Sequence, residues 1–333
     1  MLLGMFPHHI KNYYEPFLGG GALYFAMAGK TCYVNDRNRD LMMIYRNAAR
    51  RDESRFTNYF GTMAAAWKKM EAHFLGVMDE LEELTESYRL GLYHDYRDFV
   101  GAVNEVVDRV TYRNIFYRII PDPQDFKMEL RHHVIQEIIQ MEKWNDQSER
   151  DIQHNLLYAM KMGIYGFLTE VVNRESVEEP VRAAGLAFLL NYAADMPFKP
   201  DQFGELRPPF GVRDLTDKSL APLVKQVKSA EFKEHLDRTT FGCDDAMDFL
   251  RRFKPKEGDF LFLDPPAEVR KDAWETDYSP VQHKRLADYL LNRCPAQWML
   301  LVERRCSALS RYREAHMQIT RVKDFDKLII RNY

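Results

Sequence analysis

Cysteine is scarce: the 333-residue chain has 4, at Cys32, Cys243, Cys294 and Cys306. They are too few and too scattered for a disulfide framework or a spaced zinc motif, so no metal is expected. No apolar run approaches the ~18–20 residues that cross a bilayer, which excludes an integral helical membrane protein. The stretch Met1-Leu2-Leu3-Gly4-Met5-Phe6-Pro7 lacks the basic flank and the length of a secretory leader. A reducing cytoplasm is therefore expected. Basic charge is not in excess either, with 47 Lys and Arg against 50 Asp and Glu and a net charge of -3. Any contact with nucleic acid must then be made by one local face and not by the chain as a whole.

Proline is missing from 17 to 120 and again from 124 to 179, while Glu, Lys, Met, Leu and Ala abound. Such tracts read as helices, interrupted at Pro121-Asp122-Pro123. Within them, Ala64–Met70 and His133–Ile139 repeat apolar residues at helical spacing. What the chain does have is 46% hydrophobic residues, with 21 Phe, 18 Tyr and 4 Trp, enough for a substantial core. Prolines return between 180 and 222, and 197–211 reads as a loop or irregular hairpin. Gly258–Leu263 is an apolar run closed by Asp264-Pro265-Pro266, a buried strand that ends abruptly because proline cannot continue a ladder. Gln297–Val302 and Lys327–Ile330 are further strands. The economical reading is one doubly wound α/β sheet, with strands from 10–45 and 235–333, and a helical block inserted between.

Two strand ends stand out. In Tyr13-Tyr14-Glu15-Pro16-Phe17-Leu18-Gly19-Gly20-Gly21, a strand ends in a glycine turn and a helix follows. Glycines let a ligand approach the backbone, and the helix offers free N–H groups. Such a turn also serves plain structure. Next, Tyr33-Val34-Asn35-Asp36 is a second strand ending in an acid; Asp36 either accepts from ribose hydroxyls or caps the helix beginning near Asn38. Far along the chain, Asp264 sits at the carboxyl end of a buried strand, with Pro265 and Pro266 stiffening the turn. It is either a ligand-facing carboxylate or a proline-capped strand end.

Together the Glu-Pro-Phe-x-Gly-Gly-Gly turn, the Asn-Asp and the distant Asp-Pro-Pro resemble the Dam-like, alpha-group N6-adenine DNA methyltransferases. The segment Gly204–Gly211 is similar to the family's Gly-x-Phe-Asn-x-Pro-Tyr-Gly, and Leu328–Tyr333 to its closing strand. The resemblance covers 12–45 and 185–333 well and the helical block loosely. It implies a Rossmann-like class I methyltransferase sheet over 1–45 and 186–333, with 197–213 a recognition loop. A helical target-recognition insert would occupy 46–185. It also implies S-adenosylmethionine held by Tyr14, Glu15, Pro16, Phe17, Gly19, Gly20, Gly21 and Asp36, with Asp245 near the adenine. Asp245 has a second reading, as the N-cap of a helix over 246–252. Asp264, Pro265, Pro266 and Ala267 would form the catalytic turn, acting on an adenine flipped out of double-stranded DNA. Lys199, Arg207 and Arg213 would meet phosphates. A partner from a restriction or defence system is a further expectation.

Three departures qualify the resemblance. Ala267 replaces an aromatic residue whose stacking on the base is worth ~1–3 kcal/mol, with Trp274 and Tyr278 as substitutes from the following loop. The family's N-terminal Lys-Trp-x-Gly-Gly-Lys motif is not found, and Phe198-Lys199 stands where Tyr-Arg is usual. Two expectations follow: a functioning site-specific adenine methyltransferase, or a homologue impaired by Ala267, whether natural or engineered, that binds DNA or a partner.

Overall fold

The computed structural model describes residues 2–50, 54–111, 123–143, 149–194, 201–211, 219–268, 278–322 and 326–333. Lys199, Arg213 and Trp274 lie outside them. The chain forms two compact units, Met1–Arg46 with Ala230–Tyr333, and Asn47–Ser229.

Along the chain, β1 (Asn12–Glu15), α1 (Ala22–Phe25), β2 (Thr31–Asn35) and α2 (Arg39–Ala49) come first. Seven helices follow: α3 (Ser54–Leu75), α4 (Met78–Arg89), α5 (Tyr96–Thr111), α6 (Pro123–Glu142), α7 (Glu149–Asn173), α8 (Glu179–Tyr192) and α9 (Ala221–Val227). The remainder is α10 (Ala230–Asp237), β3 (Thr239–Gly242), α11 (Ala246–Phe253), β4 (Phe260–Leu263), α12 (Pro280–Asn292), β5 (Gln297–Glu303), α13 (Leu309–Glu314), β6 (Gln318–Arg321) and β7 (Lys327–Arg331).

The seven strands make one sheet in the order β3-β2-β1-β4-β5-β7-β6, the α/β architecture expected from the sequence. The first five are parallel, whereas β7 runs antiparallel to both β5 and β6. Central parallel strands are covered on both faces, so they must be apolar throughout. Phe260-Leu261-Phe262-Leu263 meets that demand and is buried at all four positions. Strand β1 pairs with β2 on one side and β4 on the other, with Tyr13 opposite Phe260. Strand order reverses at this β1–β4 boundary, and open parallel sheets take ligands in the crevice outside such a reversal. Strand β6 has no apolar run to announce it: Gln318-Ile319-Thr320-Arg321 is a largely exposed edge defined by its pairing with β7.

The helical unit packs around α3, α6, α7 and α8. Its border differs from the expected break after residue 185. Leu186, Phe188 and Leu189 of α8 are buried, with the Phe188 and Trp67 rings 5.4 Å apart, and α9 packs on α3. The hairpin reading of 197–211 agrees with the pairing at its base, where Ala193 bridges Phe210 and the Gly211 N–H donates to the Tyr192 carbonyl. Phe210 rests on Tyr165 and Trp67, anchoring that segment among the helices.

Close helix contact rests on glycine. A Cβ at Gly163 of α7 would stand 2.8 Å from the Leu130 Cα of α6. Gly101 of α5 faces open space. Thermal and denaturant unfolding should therefore split two identical substitutions. Gly163→Ala is expected to destabilise by about 1–3 kcal/mol through overpacking, whereas Gly101→Ala should stabilise by about 0.5–1 kcal/mol.

Candidate active site at the parallel strand ends

The loop after β1 turns twice through positive φ, at Gly19 (48°) and Gly21 (67°). At Gly19 and Gly20 an added Cβ would meet nothing within 4 Å, so the space above the turn is open. At Gly21 it would stand 2.7 Å from the Tyr45 hydroxyl, and the turn tolerates no side chain there. The Tyr45 hydroxyl donates to the Gly19 carbonyl. Asp36 fixes the same loop: Oδ2 accepts from the Gly19 N–H at 2.9 Å and Oδ1 from the Asn38 N–H at 2.8 Å. It does not cap α2; Asn38 does, accepting from the Leu41 N–H.

Asn35, which carried no assigned role in the sequence reading, ties three strand ends together. Its side chain is 1% exposed. Nδ2 donates to the Pro16 and Asp244 carbonyls, both at 3.0 Å, and Oδ1 accepts from the Asp244 N–H at 2.9 Å. Its own carbonyl accepts from the Leu18 N–H. Only glycine fits opposite: a Cβ at Gly242 would lie 2.5 Å from Asn35 Oδ1. The available signal was a buried-strand asparagine immediately before the acid, but Asn-Asp pairs are commonplace at turns.

Two carboxylates face this region in different settings. Glu15 is 3% exposed and accepts from the Tyr13 hydroxyl at 2.8 Å. Burial raises its carboxyl from an ordinary 4.5 to about 8, against the lowering effect of the Tyr13 hydrogen bond. Asp264, at the end of β4, is half-buried, and Lys327 at the start of β7 donates to its Oδ1 at 2.7 Å. Sequence reading assigned Lys327 only to a strand, since 63 residues separate the pair.

The other expected residues divide. Tyr14 is a core residue, its ring stacked on Tyr33 at 4.7 Å. Phe17 packs edge-on against Tyr278 at 5.2 Å, and the buried Tyr278 hydroxyl has no hydrogen-bond partner. Asp245 is the N-cap of α11, accepting from the Met247 N–H at 2.9 Å. Pro265 is buried, while Pro266 and Ala267 are exposed. Arg207, in the helical unit, is held by Glu170 and Glu205, each at 2.7 Å, with Asp201 at 3.7 Å. A phosphate would have to compete with those acids. The helical unit also encloses a cavity of about 660 Å³ lined by Trp67, Lys161, Tyr192 and Lys225 among others. It contains neither the glycine turn nor Asp264.

Comparison with known proteins agrees with the resemblance read from the motifs. Residues 2–159 match the model of the D12 class N6 adenine-specific DNA methyltransferase family. The matched region includes the glycine turn and Asp36; Asp264 lies beyond it. The chain is also similar to the Type II methyltransferase M1.LlaDCHI of Lactococcus lactis subsp. cremoris, at 40% identity over 42 residues. That alignment spans 13% of this chain and 15% of the relative. Among the described residues no helix is long and apolar enough to cross a membrane.

Two outcomes follow. Asn35→Ala strands the Asp244 N–H and two carbonyls, and each buried group left unpaired costs about 1–3 kcal/mol. Denaturant unfolding of the variant should show a loss in that range or above. Glu15 sets a pH dependence. Between pH 4.5 and about 8 the folded chain keeps a proton that the unfolded chain releases. Stability should therefore fall as pH rises through that window and level off above it. Unfolding midpoints of Glu15→Gln, taken at several pH values, should lack that decline.

Proposed function

From the match to the D12 class of N6-adenine DNA methyltransferases, we propose that this chain transfers a methyl group from S-adenosylmethionine to the exocyclic amine of an adenine in double-stranded DNA. One observation carries the reading: the glycine turn and Asp264 follow neighbouring parallel strands, β1 and β4, at the point where strand order reverses.

The residues present suit the cofactor. The open space over Gly19 and Gly20 admits a ligand against the backbone. The oxygens of Asp36 each accept one backbone N–H, and a carboxylate oxygen has a second lone pair for a ribose hydroxyl. Asp245 caps α11 through one oxygen and can meet the adenine in the same way. Glu15 is a buried carboxyl beside the turn, and the Tyr278 hydroxyl has no hydrogen-bond partner among the described residues. When bound, the sulfonium supplies an electrophilic methyl group.

Asp264 and the Pro265 carbonyl accept hydrogen bonds from the target amine and aim its lone pair at the methyl carbon. The methyl group would come from the bound S-adenosylmethionine, and the amine proton it displaces would pass to solvent water. Positioning supplies most of the rate. Lys327 holds one oxygen of Asp264 and so fixes the carboxylate plane while the other oxygen faces the amine. Tyr278, one of the two candidate rings to replace the one Ala267 lacks, is 6% exposed and packs edge-on against Phe17. The helical unit, with the 197–213 segment, Lys199, Arg207 and Arg213, would read the DNA.

A second reading is favoured by Ala267, exposed and ringless. In it, the chain is an impaired homologue that binds DNA or a partner. Incubation with labelled S-adenosylmethionine and mixed-sequence DNA separates the two. Label in adenine that disappears in Asp264→Ala supports transfer by the native chain. Label only after Ala267→Tyr, with a gain of about 5–150-fold for a stacking energy of ~1–3 kcal/mol, supports the impaired homologue. No label from any folded variant on any DNA overturns the methyltransferase reading.

A further inference from the structure

Behind the Asp264–Pro266 turn lie three side chains that methyl transfer does not use. Glu268 comes from the end of that turn, His283 from the first turn of α12, and Cys306 from the segment after β5. One ligand atom from each, an oxygen, a ring nitrogen and a sulfur, lies within 4.8 Å of the others. His283 and Cys306 are 4% and 7% exposed, and Glu268 stands partly buried at the edge of the cluster.

One pair in the cluster has the spacing of metal ligands. Cys306 Sγ stands 3.6 Å from His283 Nδ1. In a tetrahedral site with zinc–sulfur and zinc–nitrogen distances of about 2.3 and 2.0–2.1 Å, those two ligands stand about 3.5 Å apart. Outer contacts fit as well. His283 Nε2 lies 3.2 Å from the Pro266 carbonyl, which can only accept. That bond places the proton on Nε2 and leaves the Nδ1 lone pair facing the sulfur. Metal-bound histidines show this pattern, donating the other ring N–H to a carbonyl or carboxylate. Glu268 is oriented in turn: its Oε1 accepts from the Ser307 N–H at 2.8 Å and from the Ser307 hydroxyl at 2.6 Å.

We propose that Glu268, His283 and Cys306 bind a divalent transition-metal ion, zinc by the borderline softness of a sulfur, nitrogen and oxygen donor set. Binding releases the Cys306 thiol proton, and a thiolate with a carboxylate then balances the charge of the ion. Three protein donors leave one position for water. Through the His283–Pro266 hydrogen bond the ion braces the turn that carries Asp264. The proposal is independent of the methyltransferase reading, since it rests on a different set of side chains and a different readout.

The test is a cobalt titration of the chelator-treated full chain. A thiolate-to-cobalt charge-transfer band should rise in the near ultraviolet, saturate at a single equivalent, and collapse on adding Zn²⁺. Cys306→Ser should abolish the band, with circular dichroism confirming that the variant is folded. As milder changes at the rim, Glu268→Gln and Ser307→Ala should keep the fold and weaken cobalt binding, the latter by about 10–100-fold. No band from the folded native chain under excess Co²⁺ overturns the proposal. So does a band that survives Cys306→Ser, or an affinity unchanged in Glu268→Gln.

Discussion

The candidate site depends on one buried amide. Parallel strands end with their last carbonyls and amides directed away from the sheet, and the loops that follow have no ladder to define them. Asn35 supplies the missing definition, because a carboxamide carries a donor and an acceptor side by side and can complete two backbones at once. Its hydrogen bonds reach the loop after β1 and the loop after β3, while its own backbone closes onto Leu18. Asp36 then adds a carboxylate from the next position along the chain, held to the glycine turn. Neighbouring residues of one strand end thus determine where the glycines stand. An apolar residue in place of Asn35 would keep the sheet and lose the geometry.

Electrostatics divides the site's two acids. Glu15 is enclosed without a cation among its contacts, and burial favours its neutral form. Asp264 sits further out with Lys327 against it. The pair is partly solvated, so its worth to stability is small; its effect is on orientation. One strand end therefore offers a hydrogen-bonding group whose charge depends on what binds, and its neighbour offers an acceptor held in place.

Much of this was legible in the sequence. The glycine turn, the proline stop after Asp264 and the strands read at 258–263, 297–302 and 327–330 announce themselves through local chemistry, and the structure forms strands over 260–263, 297–303 and 327–331. What was not legible has a common cause. Asn35, Lys327 and β6 acquire their roles from partners far along the chain, and no local pattern encodes a partner. The border of the helical unit was missed for a related reason. The stretch after residue 185 continues a helix whose apolar face, Leu186, Phe188 and Leu189, packs within that unit. Asp245 met its structural alternative, the helix cap. Arg207 shows the converse, a residue that reads as a free cation and is ringed by acids.

The insertion has a consequence for how the chain reaches this structure. Strand β1 is made before β4, which pairs with its other edge from some 245 residues further along the chain. Pairings of such long range are slow because the intervening chain must be closed into a loop first. The helical unit changes that cost. Its contacts are mostly between neighbouring helices, so it can condense on its own while the ribosome is still adding residues. In this view the insert is a folding aid. Mutations deep in its helices would then lower the yield of assembled sheet without touching any strand.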